Sequence, residues 1–254
     1  MRALLAVLLL GATFGVSSAQ PPGAVPSLTV FAASDLAFVF QELVPRFEKA
    51  TGTKVTLVLG SSGNFVHQIE QGAPADVFFS ADEGFVDRLV QRGLLIAETR
   101  ALYGQGRIVL ATAKAAGEKL TDLRQLLDSR VKRVAIANPL HAPYGRAAEE
   151  ALRKTGIWDA VRPKLVYAEN IRQALQFVQT GAVEAGIVAL SIARVPEIEW
   201  VPIDPALHRP LNQAVGVVRS TPRPELGLAF IQFVNGPEGR PIMKRYGFLL
   251  PGEF

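Results

Sequence analysis

The chain has no cysteine in its 254 residues, and only three histidines, two tryptophans and two methionines. Without thiols there is no cysteine nucleophile, no thiolate-bound metal, no disulfide staple and no lipid anchor on an N-terminal cysteine, so stability has to come from a hydrophobic core. His67, His141 and His208 are isolated from one another, and no HxH, HxxxH or carboxylate cluster supplies metal-ligand spacing. Tyr103, Tyr144, Tyr167 and Tyr246 are scattered and give no support to a tyrosinate iron site. Lys and Arg number 27 against 23 Asp and Glu, a formal charge of +4, yet the cations never form a basic run. The electrostatic footprint of a nucleic-acid binder is therefore missing, and the mild positive field favours small anions.

The one long apolar stretch runs from Ala3 to Val16, after Arg2 and before Ser17-Ser18-Ala19. It is shorter than the roughly 20 residues a membrane span needs, and its small residues fit a cleavage site, so residues 1–19 read as a signal peptide cut after Ala19. Export without a cysteine tether points to a bacterial periplasm. The remaining length, about 235 residues, suits one large domain or two lobes of about 110.

From Ser27 onward, strand-like runs (LTVFA, KVTLVL, DVFFSA, RIVLAT, RVAIA, KLVYA, AGIVAL, AVGVVR) alternate with segments of helical spacing. Helices are expected over Phe38–Ala50, Phe65–Gln71, Glu83–Gln91, Arg146–Lys154 and Arg172–Gln179, closed by Gly52, Gly72, Gly93, Gly156 and Gly181. This alternation predicts an α/β fold with largely parallel, buried strands. The segments Arg107–Thr112 and Gln213–Arg219 stand at plausible lobe crossings. They divide the chain into a discontinuous first lobe, 27–106 plus 213–254, and an inserted second lobe, 107–212, with a single doubly wound domain as the alternative.

Four strand-to-helix turns carry the candidate chemistry, because first-turn N–H groups lack intrahelical acceptors and face outward with the positive end of the helix dipole. In Ala33-Ser34-Asp35-Leu36, Ser34 or Asp35 reads either as a helix cap or as a ligand group. In Gly60-Ser61-Ser62-Gly63-Asn64, two hydroxyls lie between glycines that let a ligand approach the backbone, which favours anion binding. The segment Ala137–Arg146 is a long loop fixed by Pro143 and Gly145, from which Tyr144 offers its N–H, its hydroxyl or neither. In Ala168-Glu169-Asn170-Ile171-Arg172, Asn170 reads as a cap and the Ile171 N–H as a free donor. Arg146 and Arg172 also sit in first turns, facing an anion or solvent. The rival class is a secreted hydrolase using Ser61 or Ser62, a histidine among His67, His141 and His208, and Asp76 or Asp82. However, GSSG is not the GxSxG elbow, and His67 turns away from Ser62 on a continuous helix.

The blocks FAASDL, GSSGNFVHQIEQGAPADVFFSAD, HAPYGRAAEEAL, ENIRQALQFVQTGAVEAGIVAL and KRYGF resemble, in order and across nearly the whole mature chain, those of the ModA-type periplasmic molybdate-binding proteins of ABC importers. The resemblance implies a two-lobe type II periplasmic binding protein fold, with mixed, mostly parallel sheets flanked by helices and a ligand cleft between the lobes. It implies a tetrahedral oxyanion, molybdate or tungstate, held by hydrogen bonds, with no catalysis and no cofactor. The implied partner is an ABC permease in the inner membrane, and the chain is expected to be a monomer. The oxyanion-binding residues it implies are Ser34, Asp35, Ser61, Ser62, Tyr144 and Ile171, the last through its N–H, with no cation ligands. Sulfate and phosphate are the alternative cargoes.

Two positions depart from the family pattern. Ala189 stands where some members have a tyrosine whose hydroxyl touches the anion, and Tyr144 is the nearest replacement. Asp35 stands where some members place a ligand serine, and an ionised carboxylate facing a dianion is repelled in a dry cleft. Asp35 is thus expected to offer only its N–H and to turn its side chain toward the helix start, unless it accepts the proton of hydrogen phosphate.

Overall fold

The computed structural model describes residues 26–254, so the expected signal peptide lies outside the described residues. Strands β1 (Ser27–Ala33), β2 (Lys54–Gly60) and β3 (Val77–Ser80) alternate with helices α1 (Ala37–Thr51), α2 (Ser62–Glu70) and α3 (Glu83–Gln91). Strands β4 (Ala101–Gly106) and β5 (Ile108–Ala113) follow, separated only by Arg107. Then come β6 (Val134–Ala137), α4 (Pro143–Lys154), the short α5 (Trp158–Val161), β7 (Leu165–Ala168), α6 (Ile171–Gln179), β8 (Ala185–Ala189) and β9 (Ile198–Pro202). The chain closes with β10 (Leu211–Val217), α7 (Pro224–Asn235) and α8 (Gly239–Arg245).

These strands form two five-stranded sheets, in the orders β2-β1-β3-β10-β4 and β7-β6-β8-β5-β9. Around β1 and around β6 the neighbours run parallel, as the strand-turn-helix alternation predicts. The antiparallel strands are β10 in the first sheet and β5 in the second, each the strand on which the chain enters from the other sheet. The two sheets with their helices make two lobes with nearly the same strand arrangement. Strands β4 and β9 were absent from the sequence reading. Gly104 and Gln105 interrupt the apolar pattern of the first, and the second, Ile-Glu-Trp-Val-Pro, is short and half-exposed at a sheet edge.

Helix ends follow the glycine signals: Gly52, Gly72, Gly93, Gly156 and Gly181 all take positive φ, a conformation costly for side chains with a Cβ. Pro45 lies inside α1 on its exposed face, so the helix continues through it while Leu43 and Phe47 stay buried. Edge-to-face contacts join Phe40 to Phe79 and Phe230, and Phe47 to Phe230, at centroid distances of 5.0–5.6 Å. Each such pair adds about 0.5–1.5 kcal/mol beyond burial alone and ties α1 and α7 to the first sheet. A separate core fills the second lobe around Leu110, Ile136 and Ile187. Among the described residues no helix is long and apolar enough to cross a membrane.

Candidate oxyanion site

The turns that end β1, β2, β6 and β7 and open the following helices converge between the lobes. Ala33, Ser34, Asp35, Gly60, Ser61, Ser62, Ala81, Ala142, Pro143, Tyr144 and Ile171 line one small cavity, so all six residues singled out from the sequence share a wall. Its cavity volume is only about 10 Å³, far below the range of about 300–1,000 Å³ typical of organic-ligand pockets. No Lys, Arg or His is among its lining residues.

Donors reach this space from four helix starts. Ile171 and Tyr144 occupy the first two positions of their helices, and no backbone carbonyl among the described residues takes their N–H groups. Asn170 caps α6 as expected, its Oδ1 accepting from the N–H groups of Arg172 and Gln173 at 3.1 Å each. The Ser34 hydroxyl donates to the same Oδ1 at 3.2 Å, which joins the first lobe to the second. Ser62 accepts the Ala81 N–H at 3.0 Å, so its oxygen is anchored while its own proton is left to donate.

Three of these side chains take partners that the sequence did not indicate. Ser61 Oγ donates 2.6 Å to the His141 carbonyl, and His141 Nδ1 lies 2.9 Å from the same Oγ, so this hydroxyl is engaged by the second lobe instead of facing an ion. Tyr144 does not replace the donor missing at Ala189: its hydroxyl donates to Asp35 Oδ2 at 2.9 Å. The Asp35 side chain does not turn back to cap a helix, because neither the 3-10 turn at Ser34–Leu36 nor α1 has a side-chain cap. Its carboxylate is wholly buried, and Oδ2 also accepts from Gln213 Nε2 at 2.9 Å. Burial, opposed in part by these hydrogen bonds, pushes its pKa from 3.8 up to about 6.

Gln213, fully buried on β10, is the site neighbour the sequence reading missed. A polar amide opening the apolar run QAVGVV was its only signal. Its Nε2 also lies 3.0 Å from the Tyr144 hydroxyl. Tyr103, distant in sequence, is buried beside this group and donates to the Ser80 carbonyl at 3.1 Å. Burial and the nearby Asp35 carboxylate push both phenols well above their ordinary range, so they stay protonated. Arg146 does not line the cavity but pairs with Asp82 and stacks over Phe85, 5.0 Å from the ring centre. Arg172 is likewise absent from the cavity wall.

The Ser61–His141 pair bears on the hydrolase alternative. Ser61 already gives its proton to the His141 carbonyl, and no carboxylate among the described residues hydrogen-bonds the imidazole to orient it. A nucleophile needs its proton directed at a base held by a third group, and this pair does not provide that.

Comparison with known proteins agrees with the geometry. The family model for bacterial extracellular solute-binding proteins matches residues 28–249. The chain is 33% identical to the molybdate-binding protein ModA of Rhodobacter capsulatus, over 90% of each chain. It is 34% identical to ModA of Escherichia coli strain K12, over 88% of this chain and 89% of that one. The solved periplasmic molybdate-binding protein of Azotobacter vinelandii superposes with a TM-score of 0.81 at 31% identity, covering 88% of this chain and 99% of that one. The chain belongs to the ModA molybdate-binding group of the bacterial extracellular solute-binding proteins.

Proposed function

We propose that this protein binds a tetrahedral metal oxyanion, molybdate or tungstate, between its lobes in the periplasm and hands it to an ABC permease in the inner membrane. The observation that carries the reading is a small cavity between the lobes that is reached by the unpaired N–H groups of Tyr144 and Ile171 and by the Ser62 hydroxyl, with no Lys, Arg or His among the residues lining it. Such a site holds a fully deprotonated anion by hydrogen bonds from a preorganised backbone. The assigned contacts are the Ser62 hydroxyl, the N–H groups of Asp35, Tyr144 and Ile171, and the Ser34 hydroxyl once it turns from Asn170 Oδ1 to the ion, while Ser61 acts by holding the two lobes together.

Residues 27–106 plus 213–254 form one lobe in this reading and 107–212 the other. Support comes from the membership of the strands in two sheets, although β10 begins at Leu211, two residues before that boundary. The protein acts as a monomer, carries no cofactor and performs no catalysis, and residues 1–19 direct its export. Isothermal titration of the ligand-stripped protein with molybdate, tungstate, sulfate and phosphate tests this. Tight one-to-one binding of molybdate or tungstate alone is expected. Preference for sulfate or phosphate overturns the cargo, and binding of none overturns the site.

A further inference from the structure

Asp35 is an anomaly in a site for a dianion: it is one of the residues lining the cavity, and its carboxyl is fully buried with no ion pair to any cation among the described residues. Its surroundings are assembled by both lobes. Oδ2 takes two donors, the Tyr144 hydroxyl from α4 and the Gln213 amide from β10, and the Ser191 hydroxyl holds its backbone carbonyl at 2.8 Å. Oδ1 has no partner at all. The group is thus dry because Tyr144 and Ser191 of the second lobe cover it, and cleft opening would return it to water. A carboxylate and a dianion enclosed together without a cation repel strongly at low effective dielectric.

Resting on the oxyanion reading above, we propose that Asp35 takes up a proton when the lobes close on the anion, so that ion and proton are bound together. With Oδ2 already saturated by two donors, Oδ1 is the oxygen that carries the proton. The neutral carboxyl removes the repulsion and leaves a site of donors only, which selects fully deprotonated oxyanions over hydrogen phosphate.

The linkage has a definite sign. Burial raises the carboxyl pKa in the closed form from 3.8 to about 6 even without an anion, and a dianion raises it further. A raised value means that closure is fully favourable at low pH and loses stability as pH climbs through the closed-state pKa. Affinity therefore falls with rising pH, approaching about tenfold per pH unit. The other groups facing Asp35 do not confuse this window. Tyr103 on β4 and Tyr144 on α4 remain protonated, Gln213 and Ser191 do not titrate, and burial lowers the pKa of His141 beside Ser61 toward its neutral form, a contribution that the Asp35→Asn variant shares.

Calorimetric titration with molybdate at pH 5.5, between the free carboxyl value of 3.8 and the closed-state value of about 6, in buffers of different ionisation enthalpy, counts the protons taken up. The expected result is uptake of well over half a proton per ion in the wild type and clearly less in Asp35→Asn, with the pH slope of affinity between pH 5 and 7 reduced in the variant. Tight molybdate binding with no uptake and a flat pH profile overturns the proton assignment and leaves the oxyanion reading intact. Phosphate bound in preference to molybdate, without uptake from the buffer, means that Asp35 stays ionised as an acceptor, and both readings fall. If the variant fails to fold, the wild-type proton count and pH slope decide alone.

Discussion

Two adjacent serines, alike in sequence, have opposite duties. Ser62 lends its oxygen to the Ala81 N–H and keeps its proton for the cavity, whereas Ser61 gives its proton to the His141 carbonyl. Removing the Ser62 hydroxyl takes a charge-assisted donor from the ion and leaves a buried N–H unpaired, each a loss of about 1–3 kcal/mol. Ser62→Ala should therefore weaken molybdate binding by roughly 10–100-fold. Ser61→Ala should leave the first-lobe contacts to the ion in place and weaken binding less, because the Gly63 N–H still holds His141 at 2.9 Å. Titrating both variants side by side checks the division, and equal losses would contradict it. The pair also shows where reading residues stops: GSSG announced an anion turn, but only a partner from about 80 positions away decides which hydroxyl is free.

At the scale of elements, α2 begins against the loop between β6 and α4, and Gly63 makes that approach possible. A Cβ there would stand 2.6 Å from the His141 carbonyl oxygen and 2.9 Å from its Cα, both backbone atoms that cannot swing aside. Gly63→Ala should thus hold the lobes apart and cut affinity about tenfold or more. The helix itself should not weaken, since alanine is favoured over glycine in a helix by about 1 kcal/mol. A melting curve beside the titration separates these effects, and a variant with wild-type affinity would refute the close approach as a requirement for binding. This junction illustrates how legible the elements were. Helices α1, α2, α3, α4 and α6 were readable because apolar periodicity and a terminal glycine agree, and the four site turns followed from them. Helices α7 and α8 were not assigned, with α7 almost uniformly apolar over Gly227–Val234 and α8 only 7 residues long. The pairing of α2 with the His141 loop, and of Asp35 with Gln213 across 178 positions, is set by tertiary packing and left no local pattern.

For the whole molecule, the question is what holds two lobes together around a cavity with no cation. The contacts that cross the cleft are polar and individually modest: Ser34 to Asn170, Ser61 to His141, Tyr144 and Ser191 to Asp35, and Arg146 to Asp82. The Arg146–Asp82 pair is about one-third exposed, where an ion pair contributes about 0–1 kcal/mol, and Asp35 opposes closure when ionised. The anion is the one group that donors from both lobes can share, so it should shift the population toward the closed form. By mass action, molybdate at 100 times its dissociation constant adds about 2.7 kcal/mol of stability. For a chain of this size that raises the melting temperature by roughly 5–10 °C. Closure should also shrink the radius of gyration measured by small-angle X-ray scattering, in step with the calorimetric saturation curve. A melting shift with unchanged scattering would mean that the lobes are already closed without the ion, and that the polar contacts across the cleft suffice to hold them.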